Sequence, residues 1–290
     1  MKLDYISARG ERLPLATNDL FVLTHVDGMT TAATSIASEA FSGADGDIVN
    51  NVQANARPIV LDLRVRGGVD VEEAKRAVLK VVKIKQIGTL EWTQNDRTVT
   101  ISGIVESVDM PRWTNEVVMQ ISLYCNQPFW EDAAFIVQQI SEAIDLHYFT
   151  DGATDMLYFT EDGLAFGEYD TIRTKTFHNS GDVAVGLEIS VVAFGTVTNP
   201  IIYDGNGNFF GVGYGDGAKR VQMQAGDNIV ITTHKGNKSI MLNGNSVLSK
   251  LRPQSTWLQL EAGDNQYTIN SDDDSITNMS FSLIYKQRYV

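Results

Sequence analysis

One cysteine, Cys125, stands among 290 residues. A lone cysteine cannot close an internal disulfide, so the fold requires neither an oxidising compartment nor a covalent staple. Cys125 lies in an alternating apolar run and is expected to pack in the core, because free cysteine is among the most buried residue types. No window approaches the roughly 18 consecutive apolar residues of a membrane span, so no membrane insertion is expected. Asp4 comes early and no apolar run follows it, so an ordinary secretory signal peptide is not expected either. Positive charge is also short: 23 Lys and Arg face 36 Asp and Glu, a formal net charge of -13. Such a surface repels phosphate backbones, which argues against nucleic acid as a direct partner. It leaves the fold open.

Reactive constellations are equally scarce. His25, His147, His178 and His234 show neither i,i+4 nor HExxH spacing, which leaves a zinc site unsupported. Gly211-Val212-Gly213-Tyr214-Gly215-Asp216-Gly217 is glycine-rich, yet its flanks read as strands, whereas a dinucleotide loop needs a helix after it. Asp204, Asn206 and Asn208 mimic the first ligands of a calcium loop. Phe209 and Gly215 then stand where the required glycine and glutamate belong. Asp272-Asp273-Asp274 reads as a solvated acidic turn. No serine lies in Gly-x-Ser-x-Gly, and Glu72-Glu73 reads as dipole-favoured charge on a helix start. The expectation is therefore no enzyme, no cofactor, and no catalytic, cofactor-binding or metal residues. Trp92, Trp113, Trp130 and Trp257 are expected as core or interface anchors; stacking on sugars is the alternative, with Trp257 the candidate platform.

What the chain does have is alternation. Ile59, Leu61, Leu63 and Val65 share one face, with Asp62, Arg64 and Arg66 opposite, which predicts a half-buried strand. After Gly67-Gly68, Asp70 predicts a helix N-cap with Glu73 at capping-box spacing. Ala74, Val78, Leu79, Val81 and Val82 continue it as an apolar stripe. Residues 88–92 and 97–105 predict strands around an Asn95-Asp96 turn. Val117 to Cys125 alternates cleanly and stops at Gln127-Pro128, since proline cannot donate to a ladder.

Residues 129–148 leave helix and loop open: Ile136, Val137, Ile140, Ala143 and Ile144 suit a helix, with Glu131-Asp132 in its first turn. Tyr148-Phe149-Thr150-Asp151 is echoed by Tyr158-Phe159-Thr160-Glu161, expected as two hairpin-like turns. The domain boundary is expected here, giving 1–147 and 148–290. The second part predicts strands only: 183–191, 200–203, 208–212, 221–223, 228–232, 239–242, 257–260, 266–269 and 279–285. Their regular spacing indicates a β-sandwich or jelly roll. The fold class is thus mainly β, with one helix in the N-terminal domain.

Particular strings carry a resemblance. They run Gly43-Ala44-Asp45-Gly46-Asp47, Arg57-Pro58-Ile59-Val60-Leu61, Gly88-Thr89-Leu90 and Ile101-Ser102-Gly103. Ile121-Ser122-Leu123-Tyr124-Cys125-Asn126-Gln127-Pro128-Phe129-Trp130 follows, a strand ending in cysteine-x-x-proline-aromatic. Gly195-Thr196-Val197-Thr198-Asn199-Pro200, Ala225-Gly226-Asp227-Asn228 and Ser255-Thr256-Trp257-Leu258 continue the order to Ile284-Tyr285-Lys286. Over nearly the whole length this resembles the siphovirus distal tail protein family, the tail-tip or baseplate component of phages and prophages. The resemblance implies a ring-forming N-terminal β domain and a galectin-like C-terminal β-sandwich. It implies a structural subunit of the virion tail, made in the bacterial host cytoplasm and assembling as a homo-oligomeric hexamer. Its implied partners are the tail tube protein and the hub, fibre or receptor-binding protein. The long segment 131–169 departs from the family pattern.

Overall fold

In the computed structural model, the described residues among the first 133 form ten strands and one helix. They are β1 (Lys2–Ser7), β2 (Arg12–Pro14), β3 (Phe21–Asp27), β4 (Thr34–Ala40), β5 (Asp47–Ala54) and β6 (Arg57–Val65), then α1 (Val71–Val81), β7 (Ile87–Gln94), β8 (Arg97–Asp109), β9 (Val118–Cys125) and β10 (Trp130–Asp132). The structure describes residues 2–41, 43, 45–95, 97–110, 117–140 and 173–290, together with the backbone of the short strands Ala143–Asp145, Phe159–Thr160, Gly163–Leu164 and Gly167–Tyr169. Contacts divide the chain into 1–133 with 288–290, and 134–287.

The N-terminal unit is built on one antiparallel sheet in the order β2-β1-β7-β8-β9-β6-β3. The alternation of β6 sets its inner face. Ile59, Leu61 and Leu63 are fully buried, and their neighbours on β9, Leu123, Ile121 and Met119, join them. α1 and its C-cap cover this face with Ala74, Val78, Val81 and Val82. Burying Val78 and Val82 contributes about 2 kcal/mol each. Asp70 caps the helix as predicted, although its carboxylate accepts from the Glu72 N–H at 3.1 Å, one residue short of a capping box. That bond still satisfies one of the orphan donors of the first turn.

At one edge of this sheet, Asp4 on β1 faces Glu91 on β7 in register. Like charges opposite each other destabilise a ladder. Arg12 resolves this by binding both, at 2.6 Å to Asp4 and 2.5 Å to Glu91. These hydrogen bonds raise the guanidinium pKa further.

Cys125 is fully buried, packed so closely over Gly103 that a Cβ there would lie 2.7 Å from its sulfur. Burial pushes the thiol up to about 11, with Arg57 opposing. The thiolate is the reactive form. An aromatic disulfide reagent at about pH 8 should therefore leave the native protein unlabelled and modify one thiol per chain in denaturant. Fast labelling of the native protein would contradict this packing.

The C-terminal unit has two principal antiparallel sheets. One runs Ile136–Gln139, Met279–Tyr285, Glu188–Ala193, Asn228–His234, Asn237–Leu242, Asn245–Ser246. The other runs Thr174–Asn179, Gly263–Ser271, Pro200–Asp204, Phe209–Gly211. Phe177, Ile189, Val191, Ile202, Phe210, Ile231, Tyr267, Ile269 and Phe281 belong to one buried cluster drawn from both sheets. That makes the unit a β-sandwich, so the mainly β class read from the sequence holds. The predicted strand 183–191 is broken at Leu187. Val185–Gly186 leaves to pair with Gln259–Leu260, while Thr233 Oγ1 accepts the Leu187 N–H at 2.8 Å.

The helix considered over 136–144 is corrected by this fold. Ile136–Gln139 is a strand bonded to Met279–Tyr285, and an available sheet edge outweighs a short ambiguous apolar run. Glu131 and Asp132 do not open a helix. They lie on β10, where Arg288 reaches Glu131 at 2.6 Å and the Tyr289 hydroxyl donates to Asp132 at 3.0 Å. The expected boundary at 147/148 lies outside the described residues. So does the first copy of the local echo; in the second, Phe159–Thr160 pairs with Gly163–Leu164.

Candidate assembly surface

Between β3 and β6 the chain leaves the sheet as a two-stranded hairpin, β4–β5, in which every residue is exposed. Its register pairs Ile36 with Val52 and, past a bulge, Ser38 with Val49. Alternation then places Ile36, Val52 and Val49 on one face, while Ser35, Ala37, Glu39, Ile48, Asn51 and Gln53 share the other. The apolar residues are 63%, 58% and 55% exposed. A lone hairpin with no core is marginal in water, and an apolar strand pair left open is a template for association.

The hairpin's root is fixed. Gly28 adopts φ +80° and lies so near β6 that a Cβ would stand 2.1 Å from the Pro58 carbonyl oxygen. The next carbonyl, of Met29, accepts the Trp130 indole N–H at 3.3 Å, and Trp130 in turn meets Trp92 edge-on at 5.9 Å. Trp92 and Trp130 thus anchor the core as predicted. Trp113 lies outside the described residues.

The sequence-flagged polar groups do structural work. His178 pairs with Asp264 at 2.7 Å on the surface, His25 is exposed on β3, and His147 lies outside the described residues. Asp204 folds its own turn, accepting from the Asn206 and Asn208 N–H groups at 2.9 and 2.8 Å. Asp272 binds Arg252 at 2.7 Å and Asn199 at 2.8 Å, and Asp274 binds Arg173 at 3.3 Å. Burial would raise Asp273, yet hydrogen bonds from Ser275, Ser271 and Thr198 hold it down at about 2. In the glycine-rich string, Gly213 leaves room for Asn199, whose Oδ1 a Cβ would meet at 2.2 Å. That Oδ1 accepts the Val221 N–H instead. Among the described residues no three His, Cys, Asp or Glu side chains are grouped to hold a metal ion, and no helix is long and apolar enough to cross a membrane.

Trp257 is half-buried against Phe210, ring centroids 4.9 Å apart, with the Lys238 ammonium 5.3 Å from its ring. It borders an open depression of about 460 Å³ lined by Asp204, Asn206, Asn208, Glu261 and Asp264.

Comparison with known proteins follows the same division. Residues 180–289 match the family model for the siphovirus-type tail component, C-terminal domain. Over those residues the chain is similar to a siphovirus-type tail component. Over the whole chain the fold is similar to that of the Dit protein of phage SPP1, described as a paradigm of hub adsorption apparatus in phages infecting Gram-positive hosts. The TM-score is 0.64 at 13% identity, covering 99% of each chain. A chain of the phage P2 baseplate in its activated conformation with Ca also matches, at TM-score 0.49 and 11% identity over 99% of this chain and 97% of that one. No curated protein sequence matches. The family model agrees over residues 180–289 with the family resemblance read from the sequence, and the likeness to the SPP1 protein shows the fold.

The exposed hairpin is what the sequence reading missed. Its only signal was the string that holds Gly43, Asp45 and Gly46, which lie between β4 and β5.

Proposed function

We propose that the protein is a distal tail subunit that assembles as a hexameric ring at the tail tip, joining the tail tube to the hub, fibre or receptor-binding protein. The observation that carries this reading is the match of residues 180–289 to a tail-component domain, within a chain whose whole fold resembles a hub adsorption protein. The roles follow the two domains read from the sequence: 1–147 forms the ring, and 148–290 is a galectin-like platform for host-adhesion parts. The subunit is made in the bacterial host cytoplasm and carried in the virion tail. It acts by assembly and not by catalysis, consistent with carboxylates that are taken up in turns and ion pairs.

Electron microscopy and light scattering of the purified chain, alone and with its tail tube protein, test the ring. Six-fold particles are expected in the micromolar range. A chain that stays monomeric and also fails to join the tube protein would overturn the proposal. A sugar-binding reading keeps one foothold in the depression beside Trp257. Calorimetric titration with host cell-wall polysaccharide should give no heat of binding on the structural reading; a signal removed by Trp257→Ala would favour the lectin instead.

A further inference from the structure

We propose that the β4–β5 hairpin of one copy seats on the basic segment 76–87 of the next copy, and that this head-to-tail contact closes the ring. The inference rests on the ring reading above and names the surfaces that reading leaves unassigned.

Charge complementarity carries it. From Gly28 to Ala56 the chain holds Glu39, Asp45 and Asp47 and no Lys, Arg or His; from Ala74 to Leu90 it holds Lys75, Arg76, Lys80, Lys83 and Lys85 and no Asp or Glu. In a protein of net charge -13, so dense a basic stretch is the natural seat for an acidic arm. Lys75 is taken by Glu72 at 3.5 Å, and the Lys83 ammonium binds the Leu79 carbonyl at the helix end. Arg76, Lys80 and Lys85 are exposed and remain to meet the hairpin's carboxylates.

Apolar surface matches as well. Leu79, Ile84 and Ile87 are 44%, 57% and 58% exposed among those cations, a counterpart to Ile36, Val49 and Val52. Apolar contact in the middle with charges at the rim is the usual anatomy of a specific interface. Placement then decides the symmetry. The hairpin is rooted at the β3–β6 edge of the sheet, and α1 packs against β2, the strand at the other edge. Unlike surfaces at opposite edges make heterologous contacts, and these generate rings when the rotation closes. A two-fold dimer would need one patch facing itself.

The test uses the full chain. Lys80→Glu with Lys85→Glu places like charges at the seat and should raise the concentration for half-assembly by about tenfold or more. Adding Asp45→Lys with Asp47→Lys should restore assembly. All four side chains are exposed, so unchanged thermal melts establish that each variant folds. In parallel, Ala40→Cys and Ile84→Cys chains are mixed under oxidation; the buried Cys125 stays silent. A disulfide-linked heterodimer, absent from either chain alone, is expected. Rings that ignore the charge reversal and give no mixed cross-link would overturn the docking while leaving the ring reading intact. A wild-type chain that does not assemble, together with cysteine variants that yield no cross-link, would remove both. A cross-link formed from Ala40→Cys only to tube protein would overturn the docking in favour of that partner.

Discussion

Gly28→Ala should lower the stability of the N-terminal unit by about 3 kcal/mol or more and release the hairpin. Two independent costs add at this position. At φ +80° an L side chain sits in a left-handed conformation that costs about 1–3 kcal/mol. The new Cβ would also meet the Pro58 carbonyl oxygen at 2.1 Å, and that atom is backbone within a paired strand, so it cannot swing away. Relief requires parting the end of β3 from β6, where Asp27 and Val60 are paired. The carbonyl of Met29, one residue on, would then lose the Trp130 indole. Denaturant titration should show an earlier midpoint. Assembly should suffer more than stability alone predicts, because the arm leaves from this point. A variant as stable as the parent would show that the turn relaxes freely.

Arg57→Met should do the opposite and raise stability by about 1–4 kcal/mol. Arg57 is 1% exposed, and its Nε, Nη1 and Nη2 atoms are buried with no hydrogen-bond partner among the described residues. Its neighbour across the ladder is Cys125, whose thiol burial keeps neutral and so without countercharge. Desolvation accordingly pulls the guanidinium pKa down. Methionine keeps a similar length and fills the site without a charge to desolvate. Comparison with Asp4 sharpens the contrast: that carboxylate is equally buried, yet Arg12 and Lys2 reach it at 2.6 and 3.0 Å. Chemical denaturation should show a later midpoint with an unchanged slope. A loss of stability would mean that ordered water or a neighbouring copy satisfies Arg57 in solution.

Much of the architecture was legible because burial writes itself into periodicity. Ile59 to Val65 and Val117 to Cys125 alternate since one face of each meets the core, and Met279 to Tyr285 does the same in the sandwich. Asp70 and the stripe from Ala74 to Val82 marked the helix for the same reason. Where burial is slight the pattern fades. β4 and β5 have no core beneath them, and their Ala, Ser, Thr and Asn residues offered no face to read. Ile136 and Val137 were ambiguous because four residues are too few to separate a period of 2 from one of 3.6.

The amino-acid sequence by itself determined the class of the protein: two β-rich parts, one capped helix, a buried lone thiol, and ordered strings that resemble those of a tail component. Tertiary structure alone decided that Ile136–Gln139 completes a sheet, that Arg57 buries its charge without a partner among the described residues, and that the strands of an apolar hairpin are exposed. The reason is physical. Local pattern records which side of a strand meets the interior, whereas pairing, close approach and an uncovered surface depend on segments distant in the chain.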